Sequence, residues 1–186
     1  MKIKHPGIAS FLVFMCAVIF IFTAESAEGA GRDYVNEEYG VSFNEPAGWT
    51  KSVGGAGSNY LAVYTDYIRK ATIGITLDDI SRQPEIKSSL DFAIKISEYV
   101  LSNYRNAKMV KHSQLTDVNG IKAAVIMYDR SLTDDGSGAD TITTMMIFVK
   151  KKDKIITINI VAPAKDWEDV MKDAGKITNS LKINGL

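Results

Sequence analysis

The chain has 186 residues, 46% of them hydrophobic, and it carries 22 basic and 22 acidic side chains. This balance leaves no basic footprint of the kind that nucleic-acid-binding domains need. A single cysteine excludes an internal disulfide framework. For this length we expect one globular domain.

The first residues have the pattern of an export signal. Two lysines precede an apolar run over residues 8–22, and small residues occupy the −3 and −1 positions of a cut before Ala27. These are the three parts of a secretory signal peptide. The run is about 15 residues, whereas a membrane span needs roughly 20. We therefore predict a signal peptide over residues 1–26 and a periplasmic or secreted protein, with an uncleaved membrane anchor as the alternative.

The single cysteine lies inside this signal. Cys16 follows Met15 and precedes further apolar residues, whereas a lipoprotein signal has a small residue before the cysteine and a polar chain after it. Without residues 1–26 the chain has no cysteine, and it keeps 20 basic and 21 acidic side chains. Thiol chemistry and thiolate metal sites are then excluded. About 160 residues remain, enough for one core, with a flexible tail over 27–33 and a domain over 34–186.

The domain is predicted to begin with a strand that ends at a tight turn. Residues 35–43 have the alternation of a strand, and Pro46-Ala47-Gly48 has the composition of a turn. Trp49 follows directly, and we expect it to pack on the core. Residues 54–58 are rich in glycine and predict a flexible loop.

Six further strands follow from period-two alternation and from turn signals. The predicted strands cover residues 60–67, 71–77, 108–116, 121–129, 141–149 and 154–161. Asn119-Gly120 is typical of a two-residue hairpin turn, because both residues tolerate positive φ, and Lys152-Asp153 marks a second hairpin. The last of these strands is apolar on both faces, which predicts a central strand covered on both sides.

Two segments have helical rather than strand spacing. Residues 88–104 repeat apolar side chains at helical intervals, and Ser88 and Asp91 have the spacing of a capping box. A second helix is predicted after Pro163, with Asp166 as its N-cap and an apolar stripe from Trp167 to Leu181. The order of three strands, a helix, four strands and a helix predicts an α+β fold, an antiparallel β-sheet flanked by helices.

The stretch from Tyr39 to Trp49 resembles the opening of PsbP-like domains, an aromatic-Gly-x-x-Phe/Ile-x-x-Pro-x-Gly-Trp pattern. The closing helix, with Trp167 and the sequence from Ile177 to Ile183, is also similar to that family. The resemblance extends over residues 34–183 and implies a PsbP-like α/β/α sandwich. It also implies non-enzymatic docking or assembly roles, some with metal-ion binding. No binding residue of the family matches this chain position by position.

Few residues suggest catalysis. His112 is the only histidine after the signal peptide, so a Ser-His-Asp relay would have to use it. If residues 108–116 form a strand, Ser113 lies on the opposite face, and we expect His112 to be a surface histidine. One histidine also excludes a multi-histidine zinc site. We predict no catalytic residue and no cofactor.

Metal binding has one candidate loop. Asp134 to Asp140 carries three carboxylates among glycines, but its spacing places glycines where an EF-hand loop needs its third and fifth ligands. We expect a solvated connection there and predict no specific metal site. Asp78-Asp79 is a weaker candidate, interpreted as the acidic end of a strand.

The remaining patterns have structural explanations. The glycines of residues 54–58 lack the Gly-Lys-Ser/Thr signature of a phosphate loop. Lys150 to Lys154 is expected to form a hairpin tip in water rather than to hold an anionic partner. Three tyrosines, at positions 60, 64 and 67, could face a partner or pack against a helix. Trp49 and Trp167 are both expected in the core.

We therefore expect an exported, non-catalytic binding or assembly-accessory module of PsbP-like fold, whose partner is another exported or membrane protein. A small periplasmic hydrolase or other enzyme is one alternative; it requires several polar groups, His112 among them, to converge in one pocket. A calcium- or manganese-responsive module that uses the Asp134–Asp140 loop is the other.

Overall fold

The computed structural model describes residues 33–52, 58–104, 106–132 and 141–185. The strands are β1 (Asp33–Asn36), β2 (Val41–Asn44), β3 (Thr50–Ser52), β4 (Tyr60–Asp66), β5 (Ala71–Asp79), β6 (Ala107–Val118), β7 (Ile121–Ser131), β8 (Thr141–Lys151), β9 (Lys154–Pro163) and β10 (Lys182–Ile183). The helices are α1 (Ser89–Asn103) and α2 (Trp167–Ser180), the latter preceded by a 3₁₀ turn (Ala164–Asp166). The predicted signal peptide over 1–26, with Cys16, lies outside the described residues.

The strands form two antiparallel sheets. The larger has seven strands in the order β3-β4-β5-β9-β8-β7-β6, and the smaller has three in the order β1-β2-β10. One apolar core lies between the larger sheet, α2 and the small sheet. A second core lies under α1, on the other face of the larger sheet. The predicted α+β fold, an antiparallel sheet flanked by helices, is confirmed.

The central position of β9 explains its double apolar pattern. It pairs with β5 on one side and with β8 on the other. Ile156, Ile158 and Ile160 belong to the core under α2, whereas Ile155 belongs to the core under α1. The prediction of a strand covered on both faces is confirmed.

Two local signals in the sequence also have the predicted geometry. The Ser88 side chain accepts a hydrogen bond from the Asp91 backbone N–H at 3.1 Å, and the Asp91 carboxylate accepts one from the Ser88 N–H at 2.8 Å. Asn119 and Gly120 have φ values of 52° and 79° and join β6 to β7 in a two-residue turn. A capping box and an Asn-Gly hairpin depend on neighbouring residues alone.

The prediction of one strand over residues 35–43 is wrong. β1 and β2 form a hairpin, and Gly40 adopts a φ of 62° in the turn between them. This left-handed conformation favours glycine and ends the extended chain. Asp33, the last residue of the predicted tail, pairs with Asn44 in this hairpin.

The last helix begins later than predicted. Pro163 ends β9 and pairs with Ile142 rather than opening the helix. Asp166 does occupy the N-cap position, but its side chain makes no capping hydrogen bond. Trp167 is only partly buried, because it is the first residue of α2 at the edge of the core. The short strands β3 and β10 were not predicted.

Candidate functional site

Within the described part of the chain, the structure does not pair His112 with a serine or a carboxylate of the kind that a catalytic relay needs. It lies exposed on β6, the edge strand of the larger sheet. The hydroxyl oxygen of the adjacent Ser113 lies 2.8 Å from that of Ser97, on α1. Ser113 is therefore directed at the helix, and the structure does not bring it together with His112.

The two glycine-rich segments of interest fall largely outside the described residues. This applies to the candidate metal loop, Asp134–Asp140, and to residues 54–57 of the first loop. Among the residues that are described, no three His, Cys, Asp or Glu side chains are grouped as metal ligands. In the same part of the chain, no helix is long and apolar enough to cross a membrane.

Trp49 anchors the start of the domain to α2. Its side chain is 9% exposed, and its indole N–H donates to the Asp173 carboxylate at 3.1 Å. The Arg69 guanidinium lies 5.4 Å from the centre of the indole ring and donates to the same Asp173 oxygen at 2.6 Å. Partial burial alone would raise the pKa of Asp173, but the bonds from Arg69 and Trp49 outweigh it and lower this pKa. The contacts with Asp173 and Arg69 give Trp49 a structural role.

The tyrosines predicted as packing or contact residues divide between these roles. Tyr64 is buried in the core and Tyr60 is partly buried, whereas Tyr67 is exposed in the β4–β5 turn beside the fully exposed Ile68. Packing therefore accounts for Tyr64, and only Tyr67 presents a broad aromatic surface.

Asp78 is a carboxyl group whose pKa is raised by burial. It lies on β5, where the strand register places Thr76 opposite Thr157 on the same face of the sheet. Asn59 donates to one Asp78 oxygen at 2.8 Å. Burial raises the pKa of Asp78 to about 6, although hydrogen bonds from Asn59 and Thr76 lower it in part. Asp78 is thus expected to titrate near pH 6. The sequence of Asp78-Asp79 indicates only the acidic end of a strand and does not predict this property.

Asp79 behaves in the opposite way. It is exposed and forms an ion pair with Lys154, across the β5–β9 register. Hydrogen bonds from Lys154 and Ser81 hold the pKa of Asp79 well below its usual value. Adjacent acidic residues on one strand therefore have different roles, because successive side chains lie on opposite faces of a sheet.

Three lysines from distant parts of the chain line one open groove of about 510 Å³. They are Lys122 on β7, Lys150 on β8 and Lys182 on β10. The Asn119-Gly120 turn and the start of the final turn, at Asn184, complete the walls. We call this feature the lysine groove.

The lysines predicted to form one hairpin tip in water make different contacts in the structure. Lys150 lines the lysine groove, and its ammonium group donates to the Lys152 carbonyl oxygen. Lys151 donates to the Tyr39 carbonyl oxygen at 2.8 Å, and Lys154 pairs with Asp79. Lys122 and Lys182 could not be associated with Lys150 from the sequence, because neither is close to it in the chain.

A family model for PsbP matches residues 30–183. The chain belongs to the PsbP family. The resemblance noted in the Tyr39–Trp49 stretch is thus confirmed, and the structure assigns roles to that pattern. Gly40 forms the β1–β2 turn, Phe43 stacks on Tyr34 with ring centres 4.6 Å apart, and Trp49 bonds to Asp173.

Solved structures with the same fold share little sequence with this PsbP-family protein. Cyanobacterial PsbP (CyanoP) from Synechocystis is 16% identical, with a TM-score of 0.60, and the match covers 89% of this chain and 98% of that one. LpqN of Mycobacterium tuberculosis, described as involved in cell envelope biogenesis, is 14% identical with a TM-score of 0.54, covering 83% and 90% of the two chains.

A third fold relative is the Ran-binding protein Mog1p of Saccharomyces cerevisiae, 11% identical with a TM-score of 0.53, covering 83% of this chain and 95% of that one. A search of curated proteins found no match. At these identities the solved structures show the fold alone, and any function must be argued from the surface of this chain.

Proposed function

We propose that this PsbP-family protein is an exported, non-catalytic module that binds another exported or membrane protein and assists its assembly. A binding role has precedent by analogy of fold alone: one structural neighbour is a Ran-binding protein, and another is involved in cell envelope biogenesis. The signal-peptide pattern over residues 1–26 supports a periplasmic or secreted location.

The proposal that the module is non-catalytic rests on the position of His112. A hydrolase of the Ser-His-Asp type needs a base within hydrogen-bond reach of its nucleophile. His112 is exposed on an edge strand, while Ser113 contacts Ser97 on the helix side of the sheet. Asp78 is bound by Asn59 and Thr76, and Thr76 is only 3% exposed, so its hydroxyl is not open to a substrate.

Capture of the partner in the native cell envelope tests the proposal. The tagged full chain is expressed with its own signal, crosslinked in intact cells and purified, and the crosslinked protein is identified by mass spectrometry. The same protein, tagged in turn, should recover this chain. A reproducible partner found in both directions is the expected result. Turnover of a small molecule that is lost in a His112→Ala variant would contradict the proposal and favour a hydrolase.

Intact mass of the exported protein tests its location. We expect a species that begins near Ala27 and lacks Cys16. A mature protein that keeps residues 1–26, or one acylated at Cys16, would contradict release of a soluble module.

A further inference from the structure

The lysine groove gathers positive charge on an otherwise neutral protein. The whole chain has equal numbers of basic and acidic side chains. Three lysines, on three different strands, nevertheless line the same depression, and among the described residues its lining includes no acidic side chain. Within the described residues, none of the three lysines forms an ion pair.

One acidic side chain, Asp117, lies beside the groove and offsets part of its charge, which leaves three lysines against one carboxylate. Asp117 pairs with Lys122 across the β6–β7 hairpin, but one of its carboxylate oxygens accepts the Gly120 N–H at 2.7 Å. Lys150 donates one hydrogen bond to the Lys152 carbonyl oxygen, which leaves its charge uncompensated. The groove therefore has a net positive potential that an anionic ligand would neutralise.

The groove is also held in shape by the fold. The Asn119 side chain donates to the Leu181 carbonyl oxygen at 2.9 Å and so ties the β6–β7 turn to the end of α2. Leu181 and Ile183, both part of the main core, form buried sections of its lining. A preformed site loses less conformational entropy on binding than a flexible one.

We infer that the lysine groove binds an acidic, extended segment of the protein partner. This inference rests on the proposed function and names its contact surface. The groove is open and combines apolar and backbone lining with lysines at separate positions, which suits a peptide carrying several carboxylates. Lysine ammonium groups act as point charges rather than as the planar forks that select phosphate. The neutral charge of the whole chain argues against nucleic acid.

The β10 strand adds a second means of contact. Among the residues that the structure describes, it pairs with β2 alone and lies at an edge of the three-stranded sheet. Main-chain groups on a free strand edge accept an added extended segment. An acidic peptide along this edge would place its carboxylates near Lys182, on the same strand.

Binding of a short, end-capped polyglutamate peptide to the full chain tests this inference, with a polyglutamine peptide as the probe control. A triple variant, Lys122→Gln/Lys150→Gln/Lys182→Gln, removes the groove charges. A matched variant, Lys108→Gln/Lys111→Gln/Lys165→Gln, removes the same charge from exposed positions elsewhere. Fluorescence anisotropy at low and physiological salt measures each affinity, and circular dichroism checks that both variants are folded. Lys182→Glu alone is the substitute if the triple variant does not fold.

We expect the groove variant to weaken polyglutamate binding about tenfold or more, because three charge contacts are lost together. The matched variant should change it by less than about twofold, since its lysines lie away from the ligand. Equal losses in both variants, or no binding by the unaltered chain, would overturn the inference. Binding of anionic phosphatidylglycerol vesicles or inorganic phosphate, but not of the peptide, would also overturn it.

The native partner separates this inference from the proposed function. If the groove variant still captures the same partner with unchanged affinity, the groove inference fails and the binding function stands. If the unaltered chain captures no partner, the proposed function fails, whatever the peptide shows.

Discussion

Replacement of Asp78 by asparagine should make the protein less sensitive to rising pH. In the folded state, burial raises the pKa of Asp78 from 3.8 to about 6. The folded protein therefore binds a proton more tightly than the unfolded chain does. This contribution to stability is fully present below the unfolded pKa and is lost as pH rises through the folded pKa.

The structure sets the size of the effect. Each pKa unit corresponds to about 1.4 kcal/mol, so ionisation of Asp78 costs the folded state about 3 kcal/mol above pH 6. Asparagine has nearly the same shape and carries no charge, and its side-chain oxygen can still accept the bond from Asn59. At pH 4 the unfolded chain has already lost part of this proton, so the stability of Asp78→Asn relative to the unaltered protein should rise by about 2 kcal/mol between pH 4 and pH 7.

Urea unfolding at a series of pH values measures this difference. Comparing the two proteins at each pH cancels the contribution of all other titrating groups. Asp79→Asn is the matched control: Lys154 and Ser81 lower the pKa of Asp79, so its contribution is lost only as pH falls below the unfolded pKa of 3.8, and its difference from the unaltered protein should stay nearly constant from pH 4 to pH 7. A stability difference between Asp78→Asn and the unaltered protein that stays constant from pH 4 to pH 7 would refute the buried-carboxyl argument.

Three further predictions concern the domain. Trp49→Ala should lower the free energy of unfolding by about 3–5 kcal/mol, because a buried indole and its bond to Asp173 are lost; a urea-unfolding change below about 0.5 kcal/mol would place Trp49 on the surface. Ser88→Ala should cost about 1 kcal/mol by removing the cap of α1, and an unchanged urea midpoint would contradict it. Calorimetric titration of calcium or manganese should show only weak binding, and a stoichiometric micromolar site lost in Asp134→Asn/Asp140→Asn would contradict the prediction for that loop.

Local signals made much of the fold predictable. The Ser88 cap and the Asn119-Gly120 turn are encoded in adjacent residues, and both have the expected geometry. The apolar residues on both faces of β9 predicted its central position, because successive side chains of one strand lie on opposite faces of the sheet. The Gly40 turn was missed because the alternation of Tyr39, Val41 and Phe43 continues across it. β3 and β10 have only three and two residues, and such short strands exist through their tertiary partners.

The lysine groove and the raised pKa of Asp78 could not be predicted from local sequence patterns. Lys122, Lys150 and Lys182 are brought together only by the pairing of β7 with β8 and by the return of the chain after α2. The unusual pKa of Asp78 likewise depends on burial between packed elements and on Asn59, from another segment of the chain. Such arrangements depend on long-range contacts, which single-sequence patterns do not contain.

The central claim is that this PsbP-family protein acts by binding another protein outside the cytoplasm. Native mass spectrometry of the complex, extracted gently from the envelope of its own host, tests this claim most directly. We predict the mature chain, without residues 1–26, in a defined stoichiometric complex with an exported or membrane protein. The mature chain recovered solely as a free monomer under the same conditions would contradict it.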